Sequence, residues 1–209
     1  MDSAAMDTGA SDYLVKGEIT PRMLERSIRY SLKLGAALRE LRLLATRDSL
    51  TNLLNRRAFD ALLAEEVDRA RRLGHPLALV VLDLDHFKTI NDTHGHPAGD
   101  AVLAVVARVF ESEVRTIDRV ARIGGEEFAV LLMETTASEG LLVAKRLVES
   151  VRARQVPLGN GHSLGVTISA GVAALPTYGE AETELMAAAD KALYAAKHQG
   201  RNRAVLASA

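Results

Sequence analysis

The 209-residue chain contains no cysteine, so neither a disulfide framework nor a thiolate metal site can form. Its formal net charge is only −1, which argues against a general role in coating nucleic acid and requires any phosphate binding to be local. Long apolar runs are also missing, and no stretch approaches the ~20 apolar residues that span a bilayer. The N-terminus lacks the layout of a secretion signal. A cytoplasmic protein without a membrane span is therefore expected.

The length of the chain suits one well-packed core with an appendage. Near the start, the run DYLVKG predicts a short strand over residues 12–16. Thr20 and Pro21 then suit the N-cap and the first position of a helix, and apolar residues recur until about Thr46, where the helix is expected to end. Its spacing is only partly heptad-like, which leaves a two-stranded stalk and an ordinary packed helix equally open.

From Asp48 onward, helical and strand patterns alternate with short connections, which predicts one α/β domain. Helices are predicted over residues 56–73, 98–114, 138–154 and 182–199. Strands are predicted over residues 77–85, 119–123, 127–133 and 166–174, with a small hairpin or loop in the run VPLGNGHS.

Two aspartates, Asp83 and Asp85, end the apolar run LALVVLDLD. Alternate strand residues share a face, and two desolvated carboxylates on one face repel each other unless a cation lies between them. Hard oxygen ligands of this kind suit Mg²⁺ or Mn²⁺. Taken alone, the pair is equally compatible with two acids that cap the strand in solvent.

A second acidic pair, Glu126 and Glu127, directly follows Gly124 and Gly125 in a predicted hairpin turn. We expect the glycines to permit positive φ and close approach of a ligand to the backbone. If the hairpin lies beside the strand that ends at Asp83, then Asp83 and Glu126 can share a metal ion that stabilises phosphoryl transfer.

Five segments occur in the order DSLTNLLNRRAF, DLDHFKTINDTHGHPAGD, RIGGEEF, VTISAGVA and ADKALYAAKHQGRNR, and they extend from about residue 48 to residue 205. In sequence and spacing they resemble the motifs of the GGDEF family, whose members are diguanylate cyclases that condense two GTP molecules into cyclic di-GMP. The resemblance implies an α/β fold of the GGDEF type. Its central sheet is mainly antiparallel and flanked by helices, as in nucleotidyl cyclases and polymerase palm domains, here with an N-terminal helical extension.

The resemblance also implies the roles of the site residues. The catalytic residues would be Asp83, Glu126 and Glu127, and the ligands of Mg²⁺ or Mn²⁺ would be those three residues with the backbone carbonyl of Leu84. Guanine would be recognised by Asn91 and Asp100, whose carboxylate can accept from guanine N1–H and the exocyclic amine. The other substrate-binding positions would be His86, Phe87, Lys88, Gly125, Lys197 and Arg201. Lys197 and Arg201, four residues apart at a predicted helix end, are expected to face one triphosphate, and Phe87 is also expected to anchor the core.

Because the implied product contains two GTP-derived nucleotides, two sites must face each other, which predicts a homodimer. The helix that ends near Thr46 is a candidate for the dimer contact. Two other functions stay open as alternatives: a non-catalytic module that binds GTP or cyclic di-GMP, and a nucleotidyl cyclase that makes a monomeric cyclic product.

The run RTID contains Arg115 and Asp118 and resembles the family's RxxD inhibitory site, with Arg146 as a further arginine. The resemblance implies that cyclic di-GMP binds there and inhibits the enzyme. Arginine can bond the O6 and N7 edge of guanine in a bidentate fork. The alternative is a surface ion pair that links a helix to a strand.

The run GASDYLVKGEITPRMLERSIRYSL resembles the last strand and helix of a response-regulator receiver domain, with Lys16 at the receiver's lysine position. This implies two regions: a receiver remnant with a linker helix over residues 1–47, and a GGDEF catalytic domain over residues 48–209. The alternative is an amphipathic helix that packs on the domain.

Overall fold

The protein was described from a computed structural model, which covers residues 20–158, 162–179 and 181–208. The chain divides into two compact units between Ala45 and Thr46. The strand predicted over residues 12–16, with Lys16 and most of the receiver-like run before Thr20, lies outside the described residues.

The first unit contributes helix α1, Pro21–Thr46. It begins as the sequence predicts, because the Thr20 hydroxyl accepts a hydrogen bond from the backbone N–H of Met23 at 3.3 Å. Large apolar side chains are exposed along α1, namely Met23, Leu24, Ile28, Tyr30, Leu32, Leu34, Leu38, Leu41, Leu43 and Leu44. Among the helices in the described part of the chain, none is long and apolar enough to cross a membrane.

The second unit is built on a six-stranded sheet in the order β1-β3-β4-β2-β7-β8. The strands are β1 Leu54–Asn55, β2 Leu77–Leu84, β3 Arg119–Arg122, β4 Glu127–Met133, β7 Ile168–Leu175 and β8 Ala204–Leu206. The three central pairings, β3/β4, β4/β2 and β2/β7, are antiparallel, whereas the outer pairings β1/β3 and β7/β8 are parallel. A separate hairpin consists of β5 Gln155–Pro157 and β6 Ser163–Gly165.

Helices cover both faces of the sheet and divide the core into two clusters. They are α2 Arg56–Leu73, α3 Phe87–His94, α4 His96–Glu113, α5 Ala137–Arg152 and α6 Glu182–His198. Apolar residues of α3, α4 and α5 pack on one face, and those of α2 and α6 pack on the other. Because β2 is covered on both faces and paired on both edges, all eight of its residues are buried, as its unbroken apolar run predicts.

The predicted elements occur in the predicted order, with ends that differ by a few residues. Helix α3 was not predicted, because its eight residues include only two large apolar side chains, Phe87 and Ile90. The short edge strands β1 and β8 were not predicted either, since two or three residues give no periodic signal.

One close contact fixes helix α6 against the sheet. A Cβ added at Gly171 of β7 would lie 2.1 Å from the Ala189 carbonyl oxygen and 2.2 Å from the Leu193 nitrogen, both in α6. Only glycine allows this approach of strand and helix backbones. The contact therefore positions α6, whose last turn carries Lys197.

Candidate active site

The acidic residues meet where β2 ends and β4 begins. The antiparallel register places Asp83 of β2 directly opposite Glu127 of β4, and the backbone N–H of Leu84 donates to the Glu126 carbonyl at 3.2 Å. Residues directly opposite in such a pair have their side chains on the same face of the sheet. The strand register thus brings Asp83, Glu126 and Glu127 together, which the sequence predicted on condition that these strands were neighbours.

Lys197 supplies the positive charge in this acidic cluster. Its Nζ lies 2.8 Å from Oδ2 of Asp83, whose side chain is only 8% exposed. Burial raises the pKa of Asp83, and the hydrogen bond and charge of Lys197 offset only part of that rise. Burial also raises the pKa of Glu126, and the charge of Asp83 raises it further. The cluster therefore holds more negative charge than one lysine neutralises.

The glycine in this turn is needed for the space that it leaves and not for an unusual backbone conformation. The expectation of positive φ is wrong, because neither Gly124 nor Gly125 lies in the left-handed region. The turn is closed by the backbone N–H groups of Ile123 and Gly124, which donate to the Glu127 carbonyl at 2.9 and 3.2 Å. A Cβ at Gly124 would lie 2.3 Å from Oε2 of Glu127. Gly124 therefore makes room for the Glu127 side chain.

Arg122 binds the backbone of this turn at the exposed Gly125. The sequence did not predict this role. Its Nε and Nη2 donate to the Gly125 carbonyl at 3.2 and 2.7 Å, and its Nη1 donates to both carboxylate oxygens of Asp48 at 3.1 and 3.2 Å. Burial raises the pKa of Asp48, but bonds from Thr51 and Arg122 outweigh it and lower that pKa overall. Asp48 and Arg122 are 74 residues apart in sequence, so no local pattern could pair them.

The carboxylates of Asp83 and Asp85 are bound by different groups, although the charge of Asp85 still raises the pKa of Asp83. Asp85 lies just beyond β2, and its carboxylate accepts hydrogen bonds from the hydroxyls of Thr167 and Ser169 and from the backbone N–H of Asn202. Asp83 instead pairs with Lys197. The two aspartates therefore have different partners.

The residues matched to guanine recognition lie where α3 packs on α4. Phe87 is 7% exposed and lies in the core beneath this contact. A Cβ at Gly99 would lie 2.0 Å from Oδ1 of Asn91 and 3.1 Å from Cζ of Phe87. Asn91 therefore lies over Gly99, next to the exposed Asp100. Sequence reasoning missed Gly99, since its role appears only when the two helices are in contact.

Three further predicted positions, His86, Lys88 and Gly125, are exposed. His86 adopts left-handed backbone angles, with φ of 58°, as the residue before α3. Their exposure leaves their side chains and backbone accessible to a ligand.

Lys197 and Arg201, predicted to lie four residues apart at a helix end, are not both in the helix. Helix α6 ends at His198, and Arg201 lies beyond it with φ of 61°. The backbone N–H of Arg201 nevertheless donates to the carbonyl of Ala196 at 3.0 Å. The Arg201 backbone is therefore anchored beside Lys197 by a turn instead of a helix.

The RTID segment borders an open groove of about 510 Å³ whose lining includes Arg47, Arg115, Asp118 and Arg119. Asp118 is buried, and its carboxylate accepts from the backbone N–H groups of Arg115 at 2.9 Å and Met133 at 3.2 Å. Among the described residues, no ion pair joins Arg115 to Asp118. The predicted surface ion pair is therefore not what shapes this segment.

The predicted third member of the inhibitory site, Arg146, is bound elsewhere. Its Nε lies 3.0 Å from a carboxylate oxygen of Glu113, and its guanidinium also donates to the Glu113 carbonyl. Glu113 is two residues before Arg115, so Arg146 lies close to the RTID segment without lining the groove.

The donor set suits a hard divalent cation. Within residues 20–158, 162–179 and 181–208, no three His, Cys, Asp or Glu side chains are arranged to hold a metal. Mg²⁺, however, is usually bound through one or two protein carboxylates together with substrate phosphates. Asp83 and Glu126 are two such carboxylates, and the charge of Asp83 raises the pKa of Glu126. A cation between them would relieve that repulsion, so the residues present fit Mg²⁺ or Mn²⁺.

The chain resembles known proteins over most of its length. The family described as diguanylate cyclase, GGDEF domain, matches residues 45–203. The diguanylate cyclase DosC of Escherichia coli K12 is 40% identical over 159 residues, which cover 76% of this chain and 34% of DosC. The probable diguanylate cyclase DgcC of the same strain is 36% identical over 182 residues, which cover 87% of this chain and 48% of DgcC. The chain thus spans about a third to a half of these relatives.

Solved structures resemble the fold as well. The coiled coil and GGDEF domain of DgcB from Caulobacter crescentus, in complex with cyclic di-GMP, has a TM-score of 0.81 and 36% identity, covering 88% of this chain and 97% of that one. The active GGEEF domain of a diguanylate cyclase from Vibrio cholerae has a TM-score of 0.69 and 33% identity, covering 75% of this chain and 99% of that one. The predicted fold class, a mainly antiparallel sheet flanked by helices with an N-terminal helix, is confirmed.

Replacing Asp83 by Asn should stabilise the metal-free protein at neutral pH. Because burial raises the pKa of Asp83 above its unfolded value, ionisation of its carboxyl costs stability as pH rises through the folded pKa. We expect Asp83→Asn to raise the free energy of unfolding at pH 7 by about 1 kcal/mol. The gain should shrink as pH falls toward 4.

Urea unfolding in the presence of EDTA measures this difference. The control is Asp92→Asn, at an exposed position of α3, which should stay within about 0.5 kcal/mol of the parent. A less stable Asp83→Asn at pH 7 would mean that the ion pair with Lys197 outweighs the burial cost.

Proposed function

The chain belongs to the family of diguanylate cyclase GGDEF domains, and we propose that it condenses two GTP molecules into cyclic di-GMP with release of two pyrophosphates. The observation that carries this proposal is the acidic cluster, in which Asp83, Glu126 and Glu127 meet beside Lys197. A phosphoryl-transfer site needs such a cluster to hold cations against a polyphosphate. A structural role alone would not require a buried carboxylate whose charge raises the pKa of a neighbouring one.

In the proposed reaction, the 3′-hydroxyl oxygen of one GTP attacks the α-phosphorus of the other. One P–O bond forms, the bond between the α-phosphorus and the bridging oxygen breaks, and pyrophosphate leaves in line. Mg²⁺ or Mn²⁺, when bound, would supply positive charge against the phosphates and would lower the pKa of the attacking hydroxyl. Asp83, Glu126 and the Leu84 carbonyl would hold the cation, and Glu127 would hold it or accept the hydroxyl proton.

Recognition of the rest of GTP is assigned to the residues around the cluster. Asn91 and Asp100 would bond the guanine edge, where Asp100 accepts from two N–H donors that adenine does not present together. The triphosphate would be bound by Lys88, Lys197 and Arg201, with His86, Phe87 and Gly125 lining the site. Lys197 forms an ion pair with Asp83 in this structure. When a cation binds Asp83, Lys197 would leave that carboxylate and bind a phosphate instead.

Ring closure requires the same attack twice, which two copies of one site can perform face to face about a two-fold axis. We therefore propose a homodimer. The exposed apolar side chains of α1 would supply a contact between copies, in keeping with the coiled coil named in the Caulobacter structure.

The groove at the RTID segment is proposed as the site of product inhibition. Arg115 lines it together with Arg47 and Arg119, and these cationic residues suit the two phosphates and guanine edges of cyclic di-GMP. The DgcB structures, solved with that nucleotide bound, are consistent with this assignment.

Purified protein incubated with GTP and Mg²⁺ should yield cyclic di-GMP and pyrophosphate, detected by chromatography. Glu126→Gln should lower the rate at least about 100-fold, since it removes a charged cation ligand. The exposed Glu182→Gln, at the start of α6, is the control and should match the parent. If the parent binds GTP yet forms no product at high protein concentration, after bound nucleotide is stripped and Mn²⁺ is tried, the protein is a binding module.

Replacing Gly99 by Ala should weaken GTP binding selectively. The added Cβ would meet Oδ1 of Asn91 at 2.0 Å, so the Asn91 side chain must leave its position. We expect KM for GTP to rise about tenfold with little change in kcat, the scale of one lost hydrogen bond to the base. Gly165→Ala is the control, because its Cβ would meet only the flexible Gln155 end at 3.4 Å. An unchanged KM would contradict the assignment of Asn91.

Arg115→Ala should relieve product inhibition while retaining the initial rate. The loss of a charge-assisted fork should raise the inhibition constant for cyclic di-GMP at least about tenfold. Initial rates measured against added cyclic di-GMP test this, with the exposed Arg152→Ala of α5 as the control. Equal inhibition of the parent and Arg115→Ala would place the inhibitory site elsewhere.

A further inference from the structure

Asp85 has a set of partners that neither the metal site nor the fold alone explains. It is 5% exposed, and both of its carboxylate oxygens are engaged. Oδ1 accepts from the Ser169 hydroxyl at 2.7 Å, and Oδ2 accepts from the Thr167 hydroxyl at 2.7 Å and from the Asn202 backbone N–H at 3.0 Å. Its own N–H donates to the Thr167 carbonyl at 2.9 Å. Asp85 thus links the end of β2 to the start of β7, to the residue just before β7 and to the turn after α6.

That turn is strained. Gly200, Arg201 and Asn202 have φ of 111°, 61° and 47°, so two consecutive residues with side chains occupy the left-handed region. Residues with side chains seldom adopt this conformation, and they persist in it only where their surroundings hold them. The turn ends α6 abruptly and directs the chain into β8, with Arg201 at its apex.

The hydrogen bond that the Asn202 backbone N–H donates to the Asp85 carboxylate is the side-chain contact that holds Asn202. Within the described part of the chain, the buried Oδ1 of Asn202 has no hydrogen-bond partner, so its side chain does not fix the turn through that oxygen. The other bonds of the turn are the backbone bond from Arg201 to Ala196 and a bond from Arg203 Nε to the Arg201 carbonyl. Asp85 therefore connects the strained turn to the strand that ends in the acidic cluster.

We propose that Asp85 is a positioning residue for the cyclase reaction, whose carboxylate holds the strained 200–202 turn so that Arg201 reaches the triphosphate beside Lys197. The inference rests on the proposed function, since it gives Arg201 a phosphate to bind. It assigns Asp85 no contact with the cation, because its buried carboxylate is bound by three donors of the protein itself.

Substitutions can remove the hydrogen bonds of Asp85 selectively, because its three donors differ. Ala at position 85 leaves the Asn202 N–H unpaired. Asn keeps an acceptor for that N–H, and its amide can donate to the Ser169 hydroxyl oxygen, so Asp85→Asn should rescue the turn. Ser169→Ala is the matched control, because it removes one bond to Asp85 and leaves the bond to Asn202 in place.

The first test measures the stability of the 200–202 turn directly and needs no substrate. Hydrogen exchange of the backbone amides of residues 200–204 should be at least about tenfold faster in Asp85→Ala, and near the parent rate in Asp85→Asn and Ser169→Ala. If Asp85→Ala does not fold, Asp85→Ser replaces it, since a serine hydroxyl is too short to reach Asn202. Unchanged exchange in the truncated variant would overturn the proposal.

The second test reads the coupling to Arg201. Asp85→Ala and Arg201→Ala should each raise KM for GTP about tenfold, and the double variant should be no worse than Arg201→Ala alone. Multiplying effects would overturn the proposal. So would a raised Mg²⁺ requirement in Asp85→Ala that matches the requirement of Asp83→Asn, because Asp85 would then be a cation ligand. If the parent makes no cyclic di-GMP, the proposed function fails, while the exchange result still decides whether Asp85 holds the turn.

Discussion

The structure depends on one constraint: an aspartate ends a strand that is buried on both faces and paired on both edges. Asp83 cannot move to solvent, because β2 is fixed between β4 and β7 by a continuous register. Its carboxylate is therefore costly to ionise and has to be met by charge from elsewhere. Lys197 supplies part of that charge, and the added carboxylates of Glu126 and Glu127 make the balance negative again. The site therefore carries excess negative charge, which a bound divalent cation such as Mg²⁺ would balance.

Three glycines allow neighbouring backbones and side chains to approach closely, and these contacts place the groups that surround Asp83. Gly171 lets α6 approach β7, which brings Lys197 within 2.8 Å of Asp83. Gly124 leaves space for the Glu127 side chain, and Gly99 leaves space for Asn91. In each case the missing Cβ matters more than the backbone angle, because none of these three glycines has positive φ. The geometry of the candidate site is thus set by helix and strand contacts that a larger residue would prevent.

The sequence predicted the parts of the site that follow from strand pattern and family resemblance. An unbroken apolar run identified β2, and the acidic pairs at its end and after the glycines identified the cluster. Sequence-based prediction failed for contacts between side chains that are distant in sequence. The partners of Asp85 lie 82 to 117 residues further on, and Arg122 lies 74 residues from Asp48, so neither contact leaves a local signature. Helix α6 ends at His198, one residue before its predicted end, but no local pattern indicated the left-handed residues Arg201 and Asn202 that follow it.

The central claim is that two copies of this one site join two GTP molecules. Mixing parent protein with Glu126→Gln at constant total concentration, with time for exchange of subunits, tests it most directly. Because only pairs of parent subunits are complete, cyclic di-GMP formation should fall with the square of the parent fraction, to about a quarter at equal mixture. A fall in simple proportion, to about half, would show that a single chain is sufficient and would contradict the account.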